Sequence, residues 1–405
     1  MSAPGGRLAT AAADAVVISA DSDARTANVF YWQRTIRWLQ PVTAYLLEHG
    51  SEEIRLAAAN LSGAPGDVRA YRNLRAVLTE AYARQPAILD GLVQAWRVAA
   101  PHVRIGYHLG ARYDHIAAAT KEPYRRSHAT AAAAEGDQPP SGTNETAPRV
   151  AVIIPFQDRG EPGERAARLL SCLRALRDQT AARDAYRVVV VETDTEPRWQ
   201  AAVSALADEY LFAANPRAFN KSWTVNLGVR HARCQPEVLC VLDADVLVDA
   251  DFVARNLTRF DADGLGAFLP YRDMLYLDTA ATATAVQRRC EGGELNVDWN
   301  LLRGFLVRRP PGGCVWLRRP VFDAINGWDE RHEGWGGEDM DVLLRLHLAT
   351  AVHYFDDRMC HLRHQQSAKL VDGDIVNRHI PRLSWVPDGP IGQPDRFADA
   401  NGART

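Results

Sequence analysis

Val238-Leu239-Cys240-Val241-Leu242-Asp243-Ala244-Asp245 is an unbroken apolar run that ends in two carboxylates separated by one small residue. Apolar and β-branched residues without a polar interruption suit a strand buried on both faces, as in a parallel sheet. Acid at such a strand end faces the ligand crevice of an open α/β sheet. In extended backbone, positions i and i+2 point the same way, so Asp243 and Asp245 can address one ligand. Hard divalent cations such as Mg²⁺ and Mn²⁺ take oxygen ligands and bridge to phosphates. An isolated Asp-x-Asp is common by chance. Its place at the end of a buried strand gives this one weight.

Upstream, strand and helix patterns alternate. Val150 to Phe156 is a second apolar run, and Gly163 to Asp178 carries Leu169, Leu170, Leu173 and Leu176 at helical spacing. Arg187 to Glu192 is a third strand, ending in acid; Pro197 to Tyr210 and Lys221 to Ala232 have helical patterns. Such alternation predicts an α/β fold with a mostly parallel sheet and helices on both faces. The strand ends at Pro155, Glu192 and Asp243 then line one edge.

Downstream, Gly334-Trp335-Gly336-Gly337-Glu338-Asp339-Met340-Asp341 sets glycines around a tryptophan, followed by three carboxylates. Glycines let backbone approach a ligand closely, and tryptophan offers a flat face for a sugar ring. Acid in the first turn of a helix also favours the helix dipole. That explains any one of the three acids but not the preceding Trp-Gly-Gly. A carboxylate there can act as general base toward a hydroxyl. His361 and His364 form an HxxH pair that can offer imidazole to the same metal, which favours Mn²⁺ over Mg²⁺.

The 405-residue chain is 47% hydrophobic with net charge −3. Mixed charge argues against nucleic acid as the main partner. Six cysteines without a CxxC pair read as buried reduced thiols. No apolar run approaches the ~20 residues of a membrane span, so a cytoplasmic location is expected. Residues 1–27, rich in Ala, Ser, Gly and Asp, are expected to be a disordered leader. Residues 28–124 read as a helical region, 125–148 as a low-complexity linker, 149–365 as the catalytic domain and 366–405 as a polar tail.

The ordered series from Val150 to about His364 resembles the GT-A glycosyltransferases, most closely the β-1,4-galactosyltransferase type and bacterial chondroitin-polymerase-like enzymes. The resemblance implies a Rossmann-like GT-A fold. It implies donor contacts from Pro155, Phe156 and Arg159 in the first-strand motif, and from Phe219 and Lys221 in Ala218-Phe219-Asn220-Lys221. Glu192, Asp243, Ala244 and Gly313 complete the expected donor side. Asp245, with Asp243, His361 and His364, is the expected metal set. Trp335, Gly336, Gly337 and Glu338 are the expected acceptor side, with Glu338 beside Asp339 as the catalytic pair. Lys221 replaces the family's usual arginine, Met340 stands where an acid is usual, and Gln157-Asp158 replaces a more basic pair. The helical region resembles nothing known to us.

The expectation is therefore a Mn²⁺- or Mg²⁺-dependent, soluble bacterial glycosyltransferase that takes a UDP-sugar donor and a sugar or small-molecule acceptor. Asp339 as base favours inversion of the anomeric centre over retention. A nucleotidyltransferase would release pyrophosphate rather than a nucleoside diphosphate, and no Gly-rich basic phosphate loop follows Phe156. A non-catalytic sugar-binding protein would have lost a catalytic acid, and none is lost.

Overall fold

The computed structural model describes residues 4–110, 147–158, 160–334, 336–365, 370–371 and 374–397. It divides into two compact units. The first comprises Met1–Lys121, Asp273–Thr282 and Asp298–Arg308; the second comprises Glu122–Arg272, Ala283–Val297 and Arg309–Thr405. Two short segments inside the expected 149–365 block thus belong with the helical unit.

In the first unit six helices precede a strand: α1 (Pro4–Ala20), α2 (Ser22–Ala27), α3 (Val29–Ala44), α4 (Glu52–Gly63), α5 (Val68–Arg84), α6 (Asp90–Ala99) and β1 (Ile105–Leu109). The expected leader is corrected here, because residues 4–27 are helical. Ala9, Ala12, Ala13, Val16 and Val17 are buried at the spacing of one helix face. Alanine is the strongest helix former and its small side chain permits close packing, so Ala-rich composition marked a core helix rather than disorder. Asp21 and Asn28 cap α2 and α3 by accepting from the amides of Asp23 and Tyr31. Arg303, almost fully buried, is neutralised by Asp278 at 3.0 Å and by Asp21.

The second unit holds a seven-stranded sheet. Its elements in chain order begin with β2 (Val150–Phe156), α7 (Glu164–Arg177), β3 (Tyr186–Glu192), α8 (Gln200–Ser204), β4 (Glu209–Phe212), α9 (Lys221–His231) and β5 (Val238–Leu242). There follow β6 (Val246–Leu247), α10 (Phe252–Asp263), β7 (Ala267–Leu269) and, in the first unit, β8 (Asp273–Leu277) and β9 (Arg303–Arg308). The last elements needed here are β10 (Cys314–Arg318), α11 (Arg319–Ala324), α12 (Glu338–Ala349), β11 (Val352–Tyr354) and β12 (Met359–His361). The first unit's strands pair β1 to β9 and β9 to β8, all antiparallel.

The sheet order is β11-β7-β10-β5-β2-β3-β4. β5, β2, β3 and β4 are mutually parallel, and β10 runs antiparallel between β5 and β7. Every residue of β2 and β5 is buried, as continuously apolar central strands require. Register places Phe156 opposite Glu192 and Ile153 opposite Val241, so the acidic ends of β3 and β5 emerge on one edge. The helix expected over Pro197–Tyr210 is one turn, α8, followed by edge strand β4. Tyr210 and Phe212 suit a pleated edge better than a helix interior.

Residues 366–405, expected as a polar tail, are anchored where described. Ile391 and Phe397 are buried. The Gly392 amide donates to Glu330 at 2.6 Å and the Trp223 indole to the Gln393 carbonyl at 2.8 Å. The stretch carries a short antiparallel hairpin, Leu370–Val371 with Asp374–Ile375, and its few buried apolar residues help to fix the rest. The expected linker lies mostly outside the described residues. All six cysteines are free, with Cys240 and Cys314 sulfurs 3.9 Å apart across neighbouring strands.

Candidate active site

Chain geometry brings Asp243, Asp245, Lys221, Asp339, His361 and His364 together from four separate elements of the second unit. Asp243 and Asp245 sit in the turn between β5 and β6. The Asp243 amide donates to the Gly313 carbonyl at 2.9 Å, and the Val246 amide to the Asp243 carbonyl at 3.2 Å. This turn sends the two carboxylates to different partners.

Asp245 faces the histidines. His364 Nε2 lies 2.8 Å from Asp245 Oδ2, and His361 Nε2 lies 3.3 Å from Oδ1. The β6–β12 pairing sets His361 opposite Val246, and the Leu362 amide donates to the Asp245 carbonyl at 2.7 Å. Ligand atoms of Asp245, His361 and His364 all fall within 4.8 Å of one another. Burial works to raise the Asp245 carboxyl, but His361 and His364 outweigh it and hold that group well below the usual carboxylate range. Asp245 Oδ1 is buried without a hydrogen bond. One carboxylate and two imidazoles form a mixed oxygen and nitrogen donor set that could hold a divalent ion such as Mn²⁺.

Asp243 faces a lysine instead. Lys221 Nζ is 2.6 Å from Asp243 Oδ1 and 2.9 Å from Asp339 Oδ1. Asn220 positions this lysine: its Oδ1 caps α9 at the Trp223 amide, 2.8 Å, while its Nδ2 donates to the Glu330 carbonyl, 2.7 Å. Burial tends to lower the Lys221 pKa, but Asp243, Asp339 and Glu338 raise it well above that of an ordinary lysine. Burial pushes Asp243 up to about 6, with Lys221 opposing and Asp339 and Asp245 adding.

Glycines make room for this meeting. A Cβ at Gly312 would lie 1.8 Å from Asp339 Oδ2, so only glycine admits the carboxylate there. Gly313 has φ 121°, which side-chain-bearing residues rarely adopt. Lys221, Asp243, Gly312, Gly313 and Asp339 line one cavity.

The three acids of α12 have three different settings. Glu338 is buried, its Oε2 has no hydrogen-bond partner among the described residues, and burial followed by the Asp339 charge raises it to about 7. Asp339 meets Lys221. Asp341 accepts from Arg345 at 2.7 Å and from the Leu383 amide at 3.0 Å, a structural role. Before α12, Gly336 and Gly337 have φ 104° and 101°. The Gly334 amide donates to the Phe219 carbonyl at 2.8 Å, and Asn377 Nδ2 to the Gly336 carbonyl at 2.8 Å. The first bond ties the glycine turn to the loop that carries Phe219, and the second ties it to the segment that carries Asn377.

At the other strand ends, Pro155 and Phe156 close β2. Glu192 Oε2 accepts from the Tyr210 hydroxyl at 2.6 Å, while Oε1 is buried and has no hydrogen-bond partner among the described residues. Burial raises the Glu192 pKa against the hydrogen bonds of Tyr210 and Trp199. Asp158 accepts from the Trp199 indole at 3.0 Å. Tyr210 and Trp199, which hold Glu192 and Asp158, have no part in the sequence-based site because a helix is expected over their segment; the aromatic Glu209-Tyr210-Leu211-Phe212 run is the signal for the strand that carries Tyr210. Ala244 lies between the two aspartates. Arg159 and Trp335 lie outside the described residues.

Comparison with known proteins places two matches in succession. Residues 151–325 match the family described as glycosyl transferase family 2, and residues 307–365 match the N-terminal domain of galactosyltransferase. Polypeptide N-acetylgalactosaminyltransferase 8 of Drosophila melanogaster is 22% identical over 271 residues, 60% of this chain and 44% of that protein. The chain thus spans under half the length of this curated relative. Among solved structures, the catalytic domain of Drosophila β1,4-galactosyltransferase 7 with xylobiose is 17% identical, with TM-score 0.38, covering 59% of this chain and 82% of that one. A mannosyltransferase from Pyrobaculum calidifontis, in complex with GDP-Man and Mn²⁺, is 18% identical with TM-score 0.34, covering 62% and 63%. No helix among the described residues is long and apolar enough to cross a membrane.

Proposed function

We propose that residues 151–365, which match the glycosyl transferase family 2 and galactosyltransferase N-terminal-domain families in succession, form a GT-A domain of the β-1,4-galactosyltransferase type, and that the protein is a metal-dependent, inverting glycosyltransferase using a UDP-sugar. The single observation that carries this reading is the divergence of the Asp243-Ala244-Asp245 turn. One carboxylate joins two histidines and the other joins the lysine that holds Asp339. A metal site and a base therefore stand side by side on the crevice edge.

Asp245, His361 and His364 would hold the divalent ion, which neutralises charge on the leaving diphosphate when bound. Asp339 accepts the proton of an acceptor hydroxyl as that oxygen bonds to the anomeric carbon. The bond from that carbon to the diphosphate oxygen breaks on the opposite face, releasing the nucleoside diphosphate. Lys221 keeps Asp339 aimed and balances its charge. Glu338, whose raised pKa of about 7 keeps it largely neutral in mildly acidic solution, has an oxygen without a hydrogen-bond partner among the described residues for a substrate hydroxyl. Pro155, Phe156 and Glu192 suit the nucleoside, and Phe219, Ala244 and Gly313 the rest of the donor. Gly336 and Gly337 form the acceptor-side turn, and Arg159 and Trp335 complete the proposed contacts.

The test is a screen of nucleotide sugars with Mn²⁺, with and without EDTA, reading released nucleoside diphosphate. Release of diphosphate that EDTA abolishes supports the reading. Release of pyrophosphate from nucleoside triphosphates would replace it with nucleotidyl transfer. Asp339→Asn is expected to lower turnover by roughly 10²–10⁴ through loss of the base. Near-normal turnover in that variant would remove Asp339 from the mechanism.

A further inference from the structure

The first unit contains a cavity of about 280 Å³ whose walls come from α1, α3, α6, β1 and β9. Its largest wall is a single face of α1. Arg7, Thr10, Ala11, Asp14, Ala15 and Ile18 recur at the three- and four-residue spacing that stacks side chains on one face. Ala11 and Ala15 are short, and a Cβ at Gly106 would meet nothing closer than 3.9 Å. The space is therefore left by small residues, not forced by crowded backbone. Packed interiors hold few voids larger than a water molecule, whereas ligand pockets start at roughly 300 Å³.

The lining has two characters. Leu39, Trp96, Val103 and Ile105 join Ile18 in an apolar body. Arg7 and Arg308 are exposed, and neither guanidinium takes part in a hydrogen bond or ion pair among the described residues. Between these stands Asp14, fixed by the Tyr71 hydroxyl, which donates to its Oδ1 at 2.7 Å. An apolar pocket with a few convergent polar groups is the usual form of a small-molecule site.

We propose that this cavity binds a small organic acid with an apolar, preferably aromatic, body: the body packs on Trp96, Leu39 and Ile18, and the carboxylate is met by Arg7 and Arg308. Two cations against one acid on the lining select an anion over an amine. Asp14 does not repel it when neutral. Burial raises this carboxyl to about 7, against the opposing effects of Tyr71, Arg75 and Arg308. In that form it donates its proton to the ligand's carboxylate or to a neighbouring hydroxyl.

The experiment is calorimetric titration of the full chain with benzoate, phenylacetate and indole-3-acetate, beside benzamide and benzylamine as neutral and cationic counterparts. Saturable binding of at least one acid is expected, at least about tenfold tighter than its amide. Ala15→Leu, which fills the cavity, should abolish binding, and the Arg7→Gln/Arg308→Gln double variant should weaken it about tenfold or more. Circular dichroism checks that each variant folds; if Ala15→Leu does not, Ala11→Val takes its place. No saturable binding of any acid up to millimolar concentration overturns the proposal. So does equal or tighter binding of the amide or amine, or binding unchanged in both the filled and the charge-removed variants.

Discussion

Asp243 and Asp245 are two residues apart, follow the same strand, and are both partly buried, yet their chemistry diverges. Asp243 is raised to about 6 by burial, and its nearest cation, Lys221, is shared with Asp339. Asp245 is held well below the ordinary carboxylate range by two histidines that outweigh its burial. The strand end supplies two equivalent acids. What arrives across from them decides which remains a ready anionic ligand and which becomes part of a charge-balanced cluster. Function here is divided by partners, not by residue type.

The strongest way to break this contrast is at the histidine side. Asp245→Ala or His364→Ala should abolish metal-stimulated donor cleavage, by about 10³-fold or more, since a bound cation supplies several kcal/mol of charge stabilisation. Mn²⁺ titration followed by electron paramagnetic resonance checks the cause directly. Unaltered Mn²⁺ affinity in both variants would place the metal elsewhere.

Breaking the lysine side should cost less and act differently. Lys221→Met leaves Asp243 and Asp339 side by side without their shared cation. Both carboxylates keep about a quarter of their surface exposed, so solvent screens part of the loss. Turnover should fall by about 10–100-fold while Mn²⁺ affinity changes less than about threefold. Lys221→Arg should restore charge but only part of the rate, because a planar fork cannot occupy the same point between two oxygens. If Lys221→Met instead mainly weakens Mn²⁺ binding, the two carboxylates are not functionally separate.

Much of this was legible in the sequence, and the boundary of legibility is physical. Val150–Phe156 and Val238–Leu242 were readable to the residue because central parallel strands admit nothing polar. Edge strand Glu209–Phe212 was not, since a short strand with one open side carries a weak pattern. Alanine-rich α1 was mistaken for disorder because composition hides the spacing of Ala9, Ala12, Ala13, Val16 and Val17. The acids and histidines of the site were each readable from local context. Their division into two sets was not, because Lys221 and Asp339 are 118 positions apart and the turn at Ala244 has no signature of its own. That Gly312 leaves space for Asp339 Oδ2 could be learned only from the fold.

That space gives a narrower probe. Gly312→Ala places a Cβ where Asp339 Oδ2 now lies, 1.8 Å away. Asp339 must rotate or its helix end must shift, so turnover should fall by several-fold to about 30-fold, a displacement rather than a deletion. The histidine set is untouched, and Mn²⁺ affinity should hold. A Gly312→Ala protein with full turnover would show that Asp339 can work from another position, which would weaken the claim that Lys221 aims it.

The smallest effect sharpens the same contrast one helix turn away, where Glu338 and Asp339 are adjacent and differently placed. Glu338 is raised to about 7 from 4.5, mainly by burial and then by Asp339. A carboxyl whose folded pKa is raised binds its proton more tightly when folded. Its contribution to stability is therefore fully present below about 4.5 and lost as pH rises through about 7. Glu338→Gln removes the titration and keeps the shape. The variant should be close to the parent in melting temperature at pH 5 and more stable at pH 8, by on the order of 1–3 kcal/mol. A melting-temperature difference that stays constant between pH 5 and pH 8 would mean that Glu338 is ionised in the folded protein throughout. Its unpartnered oxygen would then meet substrate as an acceptor only, and the division between a neutral Glu338 and an anionic Asp339 would have to be given up.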